Sequence, residues 1–97
     1  MAAYIVADIE VTDSAAYDEY RAHVPAIIAA YGGRYLVRGG ASEVLEGTWR
    51  PGRSVILEFP SMAALKAFWE SPEYQPLRAI RERAARSNLV AFEGLLA

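Results

Sequence analysis

The spacing of hydrophobic residues switches along this chain between a period of two and a period of three to four, and the switches predict its elements. From Tyr4 to Val11 the pattern alternates and is rich in β-formers, which predicts a strand. Ile5, Ala7, Ile9 and Val11 fall on one face, and Tyr4, Val6, Asp8 and Glu10 on the other. Thr12-Asp13-Ser14 supplies short side-chain oxygens that can cap a helix. Tyr17, Tyr20, Val24, Ile27, Ile28 and Tyr31 then recur at helical spacing as one stripe. Gly32-Gly33 ends that helix, because glycine accepts the left-handed conformation favoured at a helix C-terminus. Pro25 lies inside it, removes one backbone hydrogen bond and is expected to bend it beside Arg21 to His23.

Arg34 to Arg38 is the second predicted strand, interrupted by Gly39-Gly40 and continued over Glu43 to Glu46. The run GTWRPG, Gly47 to Gly52, is a turn-rich connection to a third strand, Arg53 to Phe59. Pro60 closes that strand and Ser61 caps a helix with Met62, Leu65, Phe68 and Trp69 inward. Ser71-Pro72 starts a further helix, with Leu77, Ile80 and Ala84 facing in and Pro76 leaving its first turn undefined. Asn88 to Leu95 is the last strand. The order is βαββαβ, two strand–helix–strand halves without a linker. This predicts one α+β domain over residues 1–97, ferredoxin-like, with a four-stranded antiparallel sheet in the order 4-1-3-2 and helices on one face.

The other sheet face, by alternation, carries Tyr4, Val6, Asp8, Glu10, Leu36, Arg38, Ile56 and Glu58. Full solvation would not call for Val6, Leu36 and Ile56, while full burial would strand Asp8, Arg38 and Glu58 without partners. A second copy packed on this face, leaving a polar cavity or a paired-charge seam, satisfies both and predicts a homodimer. Hydrophobic residues make up 54% of the chain; much of the excess is alanine, and an apolar surface shared with a second subunit is the alternative account. The formal net charge of −2 argues against a nucleic-acid surface. The absence of cysteine excludes thiol chemistry and suits a reducing compartment. MAAYIVADIE is too short an apolar run for a membrane span or signal, and the expectation is a cytoplasmic protein.

Five stretches together carry a family resemblance: VTDSAAYDEY after the first strand, GGRYLVRGG at Gly32 to Gly40, EVLEGTW at Glu43 to Trp49, RSVILEFPS at Arg53 to Ser61, and SPEY at Ser71 to Tyr74. With the terminal VAFEG, the chain resembles the family named Domain of Unknown Function 1330 nearly end to end. Ser14 stands where that family commonly has proline, and Gln75-Pro76 puts a proline where its helix usually continues. The resemblance implies the dimeric α+β barrel superfamily, in which two ferredoxin-like sheets pack face to face. Cofactor-free monooxygenases, isomerases, haem-degrading enzymes and stress-response proteins share that fold. It implies no reaction, because function resides in the site.

His23, the one histidine, and Glu58 are the candidate proton carriers. A lone histidine is more commonly a polar surface residue. Arg38, Asp8 and Tyr74 are the candidate ligand-binding residues. Arg38 could hold a carboxylate or enolate oxygen with its planar fork, or form an interface salt bridge. Asp8 is expected toward the same strand end as Arg38, and Glu58 toward the opposite end. Tyr17, Tyr20 and Tyr31, at helical spacing, read as core; Tyr74 follows a helix break and is the more interesting phenol. Trp49 reads as a packing anchor against a partner subunit. Arg78, Arg81, Arg83 and Arg86 read as a solvated charge run, with Arg81 able to turn inward. No metal, haem or nucleotide pattern is present, so no cofactor is expected. The leading function is a homodimer binding a small, anionic organic molecule at the sheet face. A cofactor-independent monooxygenase or isomerase, and a structural or stress-associated module, are the alternatives.

Overall fold

A computed structural model describes residues 1–95. They run β1 (Ala3–Val11), α1 (Ser14–Ala30), β2 (Arg34–Arg38), β3 (Arg53–Phe59), α2 (Met62–Glu70), α3 (Tyr74–Ala84) and β4 (Ala85–Glu93). The strands form one antiparallel sheet in the order β2-β3-β1-β4, the ferredoxin-like arrangement the pattern predicts. The expected caps form: Asp13 accepts from the Ala16 N–H and Ser61 from the Ala64 N–H. Ser71 joins two helices, donating its hydroxyl to Phe68 O at 2.8 Å and accepting the Tyr74 N–H at 3.2 Å. Pro76 is tolerated because it lies in the first turn of α3, where the missing N–H has no helical partner to lose.

Helices and sheet bury one apolar layer. Ala3, Ile5, Ala7 and Ile9 of β1, with Val55, Leu57 and Phe59 of β3, meet Tyr17, Val24, Ile28, Leu65, Phe68 and Leu77 from the helices. The ring centroids of Phe59 and Phe68 lie 5.3 Å apart, and those of Phe68 and Tyr74 4.5 Å. The Cα trace is a slab 16 Å in its thinnest dimension. That is room for one sheet and one helix layer, so among the described residues no helix covers the far side of the sheet. Val90 and Phe92 stand there 51% and 53% exposed, beside half-buried Val6 and Ile56.

Three local departures from the sequence pattern matter. Glu43 to Glu46 is not a strand. Gly39, at φ 65°, turns the chain out of the β2–β3 ladder, and residues 40–52 run without regular structure. Their ends are tied by Gly39 N–H to Ser54 O at 2.7 Å and Gly52 N–H to Asp8 Oδ1 at 2.8 Å. β4 begins at Ala85 rather than Asn88, directly from α3. The third departure is a β-bulge in β2. Tyr35 pairs with Leu57 and Val37 with the adjacent Ile56, so Leu36 is an extra residue. An extra residue exchanges the faces of everything after it. Val37 joins Ile56 on the open face, and Arg38, opposite buried Val55, joins the helix side. The expectation that Arg38 shares the open face with Asp8 is therefore corrected.

Candidate functional site

The bulge delivers Arg38 to a pocket between the sheet and the helices, and Pro25 gives it a place to bind. A proline has no N–H to return to the carbonyl four residues back, which here is Arg21 O. Arg38 Nη2 donates to that freed carbonyl at 3.1 Å, and α1 continues unbroken from Ser14 to Ala30. The Arg38 guanidinium also lies 4.8 Å from the centroid of the Tyr35 ring.

Arg53 is the second cation. It precedes Val55 by two residues, so it shares the helix side of β3 and is a diagonal neighbour of Arg38 across the β2–β3 pair. Its guanidinium sits 5.8 Å from the Tyr17 ring centroid, and its Nε is buried without a hydrogen-bond partner. Gly39 makes that position possible, because a Cβ there would collide with the Arg53 guanidinium. Strand alternation from Val55 and Leu57 back to Arg53 was a signal that sequence reasoning left unused.

Aromatic rings line part of the pocket, Tyr17 and Tyr20 from α1, Tyr35 from β2, Trp69 from α2 and Tyr74 from α3, and aliphatic side chains of the sheet and α1 line the remainder. Arg21 contributes at the rim but is engaged by Asp18 at 3.2 Å. Among the described residues no carboxylate lines this space. Its enclosed volume is about 30 Å³, enough for a water or two. At its base the Tyr20 and Tyr74 hydroxyls lie 3.0 Å apart in a buried hydrogen bond. Burial, and then the Tyr74 hydroxyl, push the Tyr20 phenol well above its ordinary range. Burial likewise raises Tyr35, although Arg38 beside it acts the other way.

Arg81 stands behind these phenols at 4% exposure, with Nε unpartnered and its guanidinium 6.0 Å from the ring centroids of both Tyr20 and Trp69. The solvated-run reading holds for exposed Arg83 and Arg86 but not for Arg81. The stripe Tyr74, Leu77, Arg81 and Ala84, all buried, has helical spacing and was the signal for it. Arg78 is half-buried, stacked 4.3 Å from the Trp69 centroid and paired with Glu82 at 2.9 Å.

The other candidates lie elsewhere. His23 is exposed on α1 and lines no part of the pocket. Glu58 is on the open face, accepting Arg34 Nε at 2.7 Å. Hydrogen bonds from Arg34 and then Tyr4 hold its carboxyl below the usual carboxylate range. Asp8 is also on the open face, occupied by the Gly52 N–H. Asp8 and Arg38 thus sit near one end of the sheet on opposite sides, and of the three proposed ligand residues only Arg38 and Tyr74 meet. Among the described residues no group of three His, Asp or Glu side chains could hold a metal, and no helix is long and apolar enough to cross a membrane.

The model of the family described as a domain of unknown function, DUF1330, matches residues 2–95. The chain belongs to this family. No curated protein matches it. Among solved structures, this DUF1330 domain is similar to a protein of unknown function from Rhodopseudomonas palustris, with TM-score 0.78 and 20% identity over 99% of this chain and 84% of that one. It is similar to a dimeric ferredoxin-like protein of unknown function from Jannaschia sp. CCS1, with TM-score 0.66 and 18% identity over 97% and 100%. It is also similar to SnoaB, a cofactor-independent oxygenase from Streptomyces nogalater, with TM-score 0.67 and 14% identity over 99% and 95%. These likenesses establish the shared fold of the DUF1330 domain; its chemistry has to be argued from the pocket itself.

Proposed function

We propose that this DUF1330 protein is a homodimer that binds a small organic anion, one per subunit, in the pocket between sheet and helices. The observation that carries this reading is the convergence of Arg38 and Arg53 on an aromatic, carboxylate-free space. Two neighbouring guanidinium groups repel each other unless an anion lies between them, and both present planar forks suited to a carboxylate. The tyrosine rings and Trp69 favour a flat ligand. Arg38 is exposed, and at about 30 Å³ the resting pocket holds only water, so the anion enters by drawing the guanidinium off Arg21 O and widening the space between sheet and helices. The ligand site moves, with Arg38, from the open sheet face to the helix side.

The open face has a separate role in this reading. A groove of about 390 Å³ lined by Val6, Trp49, Ile56, Val90 and Phe92 crosses it, and a second copy seated there buries both sets of apolar side chains. The Jannaschia neighbour, described as dimeric, supports that arrangement. An oxygenase role, as named for SnoaB, is the weaker reading, because neither His23 nor Glu58 reaches the pocket to move a proton.

Benzoate is the test ligand, and Trp69, which lines the pocket, is the reporter. Saturable quenching of tryptophan emission by benzoate, weakened at least about tenfold in Arg38→Ala, is the expected result. Emission unchanged by benzoate up to millimolar concentration, with no heat of binding, would refute the reading.

A further inference from the structure

We infer that the Tyr20–Tyr74 hydroxyl pair, backed by the buried Arg81, receives a second oxygen of the ligand as an oxyanion, which makes the ligand class a small phenolic or enolic acid; this rests on the binding role proposed above. Three observations converge on it. Arg81 is buried at 4% exposure, and among the described residues it has no carboxylate partner. A buried cation without a counter-ion destabilises a fold by leaving its desolvation uncompensated, and the two aromatic rings 6.0 Å away offset only part of that. The Nε–H has no acceptor, so the guanidinium is not placed there to satisfy a backbone carbonyl through that group.

The second observation is the hydroxyl pair itself. Tyr20 and Tyr74 approach to 3.0 Å, and one phenol donates to the other. The accepting phenol keeps its own proton free. Guanidinium N–H groups behind the phenols are donors only, so they can occupy phenol lone pairs and never compete for phenol protons. One phenol proton is then free for an anionic oxygen arriving from the pocket side, and the second becomes available when the donating phenol turns from its partner to that oxygen. The third observation is that both phenols line the same space as Arg38 and Arg53, which hold the first anionic end. Tyr17 of α1, Tyr35 of β2 and Trp69 of α2 also face this space and, like the two arginines, bring no negative charge to oppose a second oxyanion.

Burial holds Tyr20 neutral, so its phenol acts as a hydrogen-bond donor and not as an anion. Arg81 acts through the phenols and is a positioning residue. The site is an oxyanion hole in its physical parts: preorganised donors, excluded water and a fixed positive charge.

The probe is 4-nitrophenol, whose nitro group can take the place of a carboxylate at Arg38 and Arg53 and whose phenolate is coloured. Absorbance titration of the probe bound to the full chain should show it ionising about one pH unit or more below the free probe, a tenfold or greater preference for phenolate. Tyr74→Phe and Arg81→Met should each abolish most of that shift. Arg81→Met should also unfold at a higher temperature than the native protein, which a purely structural arginine would not allow. If the native protein binds benzoate but 4-nitrophenol ionises at its free value, or if Tyr74→Phe keeps the full shift, the oxyanion assignment is wrong and the binding role stands. If neither probe binds the native protein, both are wrong.

Discussion

Gly39 is the residue on which the two-arginine arrangement turns. Its φ of 65° lies in the left-handed region, and the space its missing side chain leaves is filled by the Arg53 guanidinium. Gly39→Ala strains the backbone and pushes Arg53 aside, so it should weaken benzoate binding by about tenfold and lower stability by ~1–2 kcal/mol, as read by titration and by denaturant midpoint. Tyr20 gives a second residue-scale expectation. Its phenol ionises near its ordinary 10.0 in the unfolded chain but much higher when folded, because burial disfavours the anion. The stability this brings is complete below about pH 10 and is lost as pH rises beyond it. A denaturant midpoint that is level to about pH 9 and drops above about pH 10, with a shallower drop in Tyr20→Phe, is the expected profile.

At the scale of elements, the sequence was legible wherever periodicity and caps agree. The stripe of α1, the Asp13 and Ser61 caps, the Ser71 junction and the alternation of β1 and β3 all appear as the pattern predicts. The site was only partly legible, because Leu36 is looped out of register by a bulge that no residue type announces. One uncounted residue moved Arg38 through the sheet, away from Asp8 and toward Tyr74. Arg53 and Arg81 were readable from their own strand and helix periods, but Arg53 was given no face and Arg81 was grouped with a solvated charge run. Pro25 was seen to remove a hydrogen bond, and its partner was not, since Arg38 reaches Arg21 O across the fold. Pro25→Ala restores the N–H to that carbonyl. It should raise stability by ~1–3 kcal/mol in urea unfolding and strengthen benzoate binding several-fold, because Arg38 no longer has to be drawn off Arg21 O.

For the whole molecule, the proposed function gives the two surfaces of one slab different duties: the helix side would hold the anion, and the open sheet face, with Trp49 of the irregular 40–52 segment lying along its groove, would receive a second copy. Light scattering should give twice the subunit mass at micromolar concentration. Phe92→Glu, which puts a charge on the apolar face at the edge strand β4, should give the single-subunit mass while keeping benzoate affinity within about threefold, since Phe92 lines no part of the anion pocket. The measurement that bears most directly on the account is calorimetric titration of benzoate into the native protein, Arg38→Ala and Arg53→Ala. The account predicts one site per subunit in the native protein and at least about tenfold weaker binding in each variant. Binding of equal strength in all three, or no heat in the native protein, would contradict it.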